Sequence, residues 1–89
     1  MSGTLWRRSD QWFGTEVEDN YVMVNLESGK YVWLNATADM VWRALETDLD
    51  EDALCEILSG EFDVDQDHCR HSLAACLEKM RSLELVAPL

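Results

Sequence analysis

The side chains of this sequence best suited to chemistry are thiols and imidazoles in its last third: His68, Cys69, His71 and Cys76. Such groups can ligate zinc or act as nucleophile and base. On a helix His68 and His71 can share a face, but Cys69 points about 100° away, whereas structural zinc sites draw converging ligands from more than one element. No separate base and orienting group accompany the cysteines, as nucleophilic catalysis requires. We therefore expect no metal, no cofactor and no enzymatic activity.

The same stretch carries more apolar positions than a single core-facing stripe requires. Leu73, Leu77 and Met80 recur at helical spacing and suffice for a core. A second line at heptad spacing borders them and consists of Cys69, Cys76 and Leu83. Two interpretations remain open: the second line is the wall of a binding groove, or it widens a buried face to which nothing binds.

Three short strands are predicted ahead of the helical residues, at 11–17, 21–26 and 31–34, with tight turns between them. In the third strand Tyr31 and Trp33 alternate with Val32 and Leu34, so that both faces are apolar. An exposed strand of this kind can accept a guest strand that completes its unpaired N–H and C=O groups. The alternative is that helices cover the strand and all four side chains belong to the core.

Three helices are predicted after the strands, because the apolar period changes at Asn35. The first should end near Thr47, the second at Gly60, and the third, which is the longest, before Leu85. The candidate N-caps are Asn35 or Thr37, Asp48 or Asp50, and Asp63 or Asp65.

These elements predict an α+β fold, similar to a winged helix-turn-helix, with a three-stranded antiparallel sheet followed by three helices. We expect residues 1–89 to form a single domain in which residues 1–10 are a flexible or partly ordered N-terminal arm. Three cysteines without a CxxC pair argue against a disulfide framework, and reduced, mostly buried thiols are expected.

Charge and hydropathy exclude several classes of partner. The net charge of −11 opposes the binding of nucleic acid, whose phosphates require clustered Lys and Arg. The sequence shows neither a secretion signal nor a long apolar run, so we expect a soluble cytoplasmic protein without a membrane partner.

The segment 29–37, with Val41, Trp42 and Leu45 after it, resembles the PqqD-like family. The family pattern is a Gly turn, an aromatic strand, Leu-Asn, and a helix that carries Ile-Trp and then Leu. The resemblance extends from about Tyr21 to Val86. Three positions depart from it: Ala38 stands where Gly is frequent, Ser72 replaces a frequent acid, and Glu84 stands where Gly usually precedes the closing Leu-Val. Glu84 argues against a left-handed cap at the end of the third helix.

The resemblance implies a recognition element for ribosomally synthesised and post-translationally modified peptides, as in lasso-peptide or PQQ biosynthesis. Such an element binds the leader of a precursor peptide as an added strand and presents it to a modifying enzyme or leader peptidase. On the third strand the implied peptide-binding residues are Lys30, Tyr31, Val32, Trp33 and Leu34. On the third helix they are Cys69, Ser72, Leu73, Cys76, Lys79, Met80 and Leu83.

Other functions fit parts of the pattern. An aromatic edge strand can pair with its own copy, so the chain could be a structural module or a homodimer. A winged-helix DNA regulator has the same elements, but its recognition helix needs basic and amide side chains. An acyl carrier protein has similar acidity, yet the Gly-x-Asp-Ser-Leu attachment site of such carriers is absent.

Overall fold

The structure is a computed structural model that describes residues 4–89; residues 1–3 of the predicted N-terminal arm lie outside the described residues. The strands are β1 (Trp6–Arg8), β2 (Trp12–Val17), β3 (Asn20–Asn25), β4 (Tyr31–Leu34) and β5 (Val86–Pro88). The helices are α1 (Ala36–Ala44), α2 (Glu51–Phe62) and α3 (Gln66–Ser82).

The main sheet is antiparallel with the strand order β2-β3-β4, and the three helices follow it. This confirms the predicted α+β architecture. The observed β4 is the third strand predicted from the sequence, with the same bounds, while β3 lies one residue ahead of its prediction. In this order β4 is an edge strand, which gives it one side without a neighbouring strand within the part of the chain that the structure describes.

The turn before β4 depends on Asn25 and Gly29. The Asn25 side chain accepts hydrogen bonds from the backbone N–H groups of Glu27 and Ser28, each 2.9 Å long, which is an Asx turn. Gly29 has a φ of 76°, a conformation that glycine adopts without steric cost, and its N–H donates to the Asn25 carbonyl. The chain then returns antiparallel to β3 in a fixed register.

A second, two-stranded sheet pairs the two ends of the described chain and was not predicted from the sequence. Trp6 lies opposite Pro88 and Arg8 opposite Val86, and Trp6 also bridges to Leu49. Trp6 and Val86 are buried, so each strand of this sheet contributes one side chain to the core. Residues 6–8 of the expected arm are therefore an ordered strand.

Each helix begins at one of the predicted N-caps. The side chains of Asn35, Asp50 and Asp65 accept hydrogen bonds from the N–H group three residues later. Two predicted ends are wrong: α1 stops at Ala44 rather than near Thr47, and α2 continues past Gly60 to Phe62. The chain leaves α2 through Asp63, whose φ of 52° is left-handed, three residues beyond the end predicted at Gly60.

Helix α3 ends in a Schellman motif despite the absence of a glycine. The N–H of Leu85 donates to the Met80 carbonyl and that of Glu84 to the Arg81 carbonyl, both over 2.9 Å. Glu84 has a φ of 63°. The argument from sequence against a left-handed cap is therefore wrong, because the buried Leu85 and Val86 behind the cap hold the chain in that turn.

We expect Glu84→Gly to stabilise the protein by about 1 kcal/mol. A left-handed non-glycine residue costs roughly 1–2 kcal/mol, and the added entropy of glycine in the unfolded chain offsets part of the gain. For a domain of this size the melting temperature should rise by about 4–8 °C per kcal/mol. Glu84→Ala removes the same charge but keeps Cβ, and it should not reproduce the gain. Equal melting temperatures for Glu84→Gly and the parent chain would contradict this account.

One apolar core joins the helices to one face of the main sheet. Trp12 and Met23 of the sheet pack with Leu45 of the segment after α1 and with Leu54 and Leu77 of the helices. The remaining buried members are Trp6, Ala38, Val41, Trp42, Cys55, Leu58, Cys69, Leu73, Met80, Leu85 and Val86. The helices therefore cover only one face of the sheet.

Candidate functional site

The free edge of β4 presents unpaired backbone groups. The N–H of Asn25 donates to the Lys30 carbonyl over 2.7 Å, and Lys30 is the residue just ahead of β4. Since hydrogen-bonded pairs alternate along an antiparallel ladder, Val32 and Leu34 bond to β3, opposite Met23 and Tyr21. The N–H and C=O groups of Tyr31 and Trp33 therefore point away from β3, toward the open edge.

The side chains of β4 alternate between the two faces of the sheet, as predicted. Tyr31 and Trp33 are 67% and 54% exposed on the outer face of the sheet. Val32 and Leu34 are half-buried and pack against the core. The interpretation that all four side chains are core residues is therefore wrong for Tyr31 and Trp33.

A groove of about 460 Å³ runs beside this edge, between β4, the start of α1 and the C-terminal half of α3. The strand side and the β4–α1 junction contribute Val32, Trp33, Leu34, Asn35, Thr37 and Ala38. The helix side contributes Ser72, Ala75, Cys76, Lys79, Met80 and Leu83, and Leu85 beyond α3 also lines the groove. Apolar side chains thus form most of the lining, with a few polar groups among them, as is common in ligand sites.

Eight of the twelve residues predicted as peptide-binding line this groove: Val32, Trp33, Leu34, Ser72, Cys76, Lys79, Met80 and Leu83. Lys30 and Tyr31 lie just before and at the start of β4, but they do not line the groove. Cys69, predicted as part of the groove wall, and Leu73, also predicted as peptide-binding, do not line this groove. Both are buried in the core, with exposures of 2% and 1%. Cys69 contacts α2 there, and its Sγ lies 3.5 Å from the Cys55 carbonyl oxygen.

Sequence reasoning missed five lining residues: Asn35, Thr37, Ala38, Ala75 and Leu85. Asn35 was recognised only as the cap of α1, because its position beside the groove depends on how β4, α1 and α3 pack together. Ala75 is a small exposed residue outside both apolar lines of α3. Its position in the groove follows from the place where β4 and α3 approach each other.

The groove is locally poor in acids. Lys79 is its only charged lining residue, and within residues 4–89 no carboxylate pairs with it. The ten acids between Glu46 and Asp67 belong to the segment that contains α2. The electrostatic character of the groove therefore differs from that of the chain as a whole, whose net charge is −11.

The three thiols differ in accessibility. Cys55 and Cys69 are buried, whereas Cys76 is half-exposed in the groove. Burial raises the pKa of the Cys76 thiol, and it raises the pKa of Cys55 to about 11. In the described chain no three His, Cys, Asp or Glu side chains are grouped to hold a metal ion.

We expect maleimide to modify Cys76 before Cys55 and Cys69 in the folded protein. Because its pKa is raised, the thiolate fraction of Cys76 is small at neutral pH, and its modification rate should keep rising above the pH at which an ordinary thiol levels off. Timed modification followed by mass spectrometry of proteolytic fragments measures each rate. In urea all three cysteines should react at similar rates. Equal rates for Cys76 and Cys69 in the folded protein would show that Cys76 does not line an open groove.

A second depression, of about 490 Å³, borders the other free edge of the sheet at β2. Its lining is more strongly charged and includes Arg7, Arg8, Asp10, Glu46 and Asp48. Arg7 is already paired with Asp48 over 2.7 Å, and the Arg8 guanidinium lies 5.0 Å from the centre of the Trp42 ring. This edge therefore offers fewer apolar contacts to a guest strand than β4 does.

Comparison with known proteins gives one family match and two similar structures. The family model of coenzyme PQQ synthesis protein D (PqqD) matches residues 20–86. The structure of TbiB1 in complex with the TbiA(beta) leader peptide has a similar fold, with a TM-score of 0.78 and 24% identity over 90% of this chain and 93% of that chain. Lasso peptide synthetase B1 complexed with the leader peptide gives a TM-score of 0.77 and 21% identity over 93% and 98%. No curated protein sequence matches the chain significantly.

Proposed function

Since the chain belongs to the PqqD family, we propose that it binds the leader segment of a ribosomally made precursor peptide and delivers it to a modifying enzyme or leader peptidase. The leader adds as a strand to β4 and places alternate side chains in the groove beside α3. The chain acts as a binding partner of the enzyme and not as a catalyst. The pathway is of the lasso-peptide or PQQ type.

One observation carries this proposal: the outward-facing backbone groups of Tyr31 and Trp33 border an apolar groove. A guest strand gains main-chain hydrogen bonds from the edge and specificity from pockets for every second side chain. Val32 and Leu34 face the core side of β4, and the guest residues next to them face the same way. Those guest side chains therefore point toward the accessible apolar residues of the groove, which include Ala75, Cys76 and Leu83.

The two similar structures support the choice of ligand, because each is a complex with a leader peptide. Within the described residues, the β4 edge is also the better of the two free edges of the main sheet. A guest at β2 would have to displace or bury the charged groups around Arg7 and Asp48, and unpaired buried charges are costly.

Calorimetry tests the proposal. The full chain is titrated with the synthetic leader of the precursor encoded beside its gene, and a scrambled version of that peptide is the control. We expect a 1:1 complex with a dissociation constant of about 1 μM or tighter, equivalent to roughly −8 kcal/mol. Absence of binding at about 100 μM peptide, where the free energy is only about −5.5 kcal/mol, would reject the proposal.

The same exposed edge also favours a second candidate, a homodimer in which two β4 strands pair across a twofold axis. Tyr31 and Trp33 would then lie beside their copies. Sedimentation distinguishes the homodimer from a leader-binding monomer. A dimer should dissociate on dilution, and the leader should also break it apart, because both use the β4 edge. A monomer at all concentrations that still binds the leader eliminates the dimer.

A further inference from the structure

We propose that the groove selects a peptide that places a carboxylate between two apolar side chains on its groove-facing side, with Lys79 as the partner of that carboxylate. This inference rests on the proposed function and specifies its ligand. The peptide pattern is apolar-x-acid-x-apolar, because a strand directs every second residue toward one face.

The groove-lining side chains of α3 have the matching order. Cys76, Lys79 and Leu83 all line the groove, and they are separated by three and four residues. Such residues lie about one helical turn apart, roughly 4.5–6 Å along the axis, which approaches the roughly 6.6 Å between alternate residues of a strand. A strand lying along this wall therefore meets an apolar residue, a cation and an apolar residue in succession.

Lys79 has no partner of its own on α3. The residues three and four positions away are Ala75, Cys76, Ser82 and Leu83, none of which is acidic. In the described chain Arg7, Arg43, Arg70 and Arg81 all form ion pairs with carboxylates. Lys79 is thus an exposed cation among apolar groove residues, and a guest carboxylate can pair with it.

The net charge of −11 favours a basic peptide at long range, whereas the charge of Lys79 favours an acidic residue within the groove. At physiological ionic strength charges are screened beyond about 8 Å. The ten acids between Glu46 and Asp67 do not line the groove, whereas Lys79 does. Contact with Lys79 therefore decides which residue is preferred at the position facing it.

Selection from a phage-displayed library of random twelve-residue peptides tests this inference with three proteins. They are the parent chain, Lys79→Glu in the groove, and Arg81→Glu, which makes the same charge change on α3 outside the groove. The parent and Arg81→Glu should enrich Asp or Glu between two apolar residues at alternate positions. Lys79→Glu should enrich Lys or Arg there instead. In one enriched peptide, changing the acid to its amide should weaken binding to the parent about fivefold.

The outcomes separate the two proposals. Enriched peptides without an acid preference, or an acid preference that persists in Lys79→Glu, would overturn this inference and leave peptide binding intact. Loss of the preference in Arg81→Glu as well would also overturn it, because the effect would then be one of overall charge. No enrichment by the parent chain would reject the inference together with the proposed function.

Discussion

Ala75→Trp should weaken leader binding about thirtyfold or more while the protein remains folded. Ala75 is exposed and lines the groove, so an indole at this position occupies space without disturbing the core. Helical side chains lean toward the N-terminus, which places the ring over Ser72, inside the groove. Loss of one apolar anchor contact costs roughly 1.5–3 kcal/mol, and about 2 kcal/mol corresponds to a thirtyfold change in affinity.

Ala74→Trp is the matched control. Ala74 is also exposed, but it borders a different depression, beside Arg70 and His71. The free energy of unfolding of both variants should lie within about 1 kcal/mol of the parent value, since the helix propensities of Ala and Trp differ by less than that. Equal affinities of the two variants in the same calorimetric titration would show that the leader does not occupy the groove.

Trp33→Pro should have the second largest effect. Its N–H points away from β3, so proline at this position removes a donor from the free edge and leaves the β3–β4 ladder intact. The lost hydrogen bond costs about 0.5–1.5 kcal/mol, and the proline ring also obstructs the approach of the guest strand. Together these should weaken binding about thirtyfold, or about 2 kcal/mol.

Two further variants isolate the backbone effect. Trp33→Ala loses the same side chain but keeps the N–H, so it should bind the leader about tenfold more tightly than Trp33→Pro. Val32→Pro removes a donor that faces β3, and it should lower the melting temperature instead. Equal affinities of Trp33→Pro and Trp33→Ala would contradict strand addition to β4.

The fold was predictable where local sequence determines structure. The bounds of β4 and the caps Asn35, Asp50 and Asp65 follow from alternation and from side chains that bond within three residues. The pairing of β1 with β5 was not predictable, because three-residue strands carry no periodic signal and their pairing joins opposite ends of the chain. The cap at Asp63 was missed because glycine is the usual left-handed residue and Gly60 stands close by.

The sequence predicted that β4 and α3 form the site, but it did not predict every residue that lines the groove. Cys69 and Cys76 project within about 20° of each other around the axis of α3, so helical periodicity cannot separate them. The structure separates them because α2 covers the first turns of α3, where Cys69 contacts Cys55, and leaves the later turns open beside β4. The packed core determines where α2 crosses α3. For this reason one cysteine is buried and the other lines the groove.

Amide hydrogen exchange, resolved by residue, tests strand addition most directly. In the free protein the amides of Tyr31 and Trp33 should exchange quickly, since they face the open edge, while those of Val32 and Leu34 are protected by β3. Gly14 and Glu16 provide the internal control: Leu26 donates to the Gln11 carbonyl, so by alternation they face the other free edge, at β2. A saturating leader should slow exchange at Tyr31 and Trp33 by about tenfold or more and leave Gly14 and Glu16 unchanged. Unchanged exchange at Tyr31 and Trp33 in the saturated complex, or new protection at Gly14 and Glu16 instead, would contradict binding at β4.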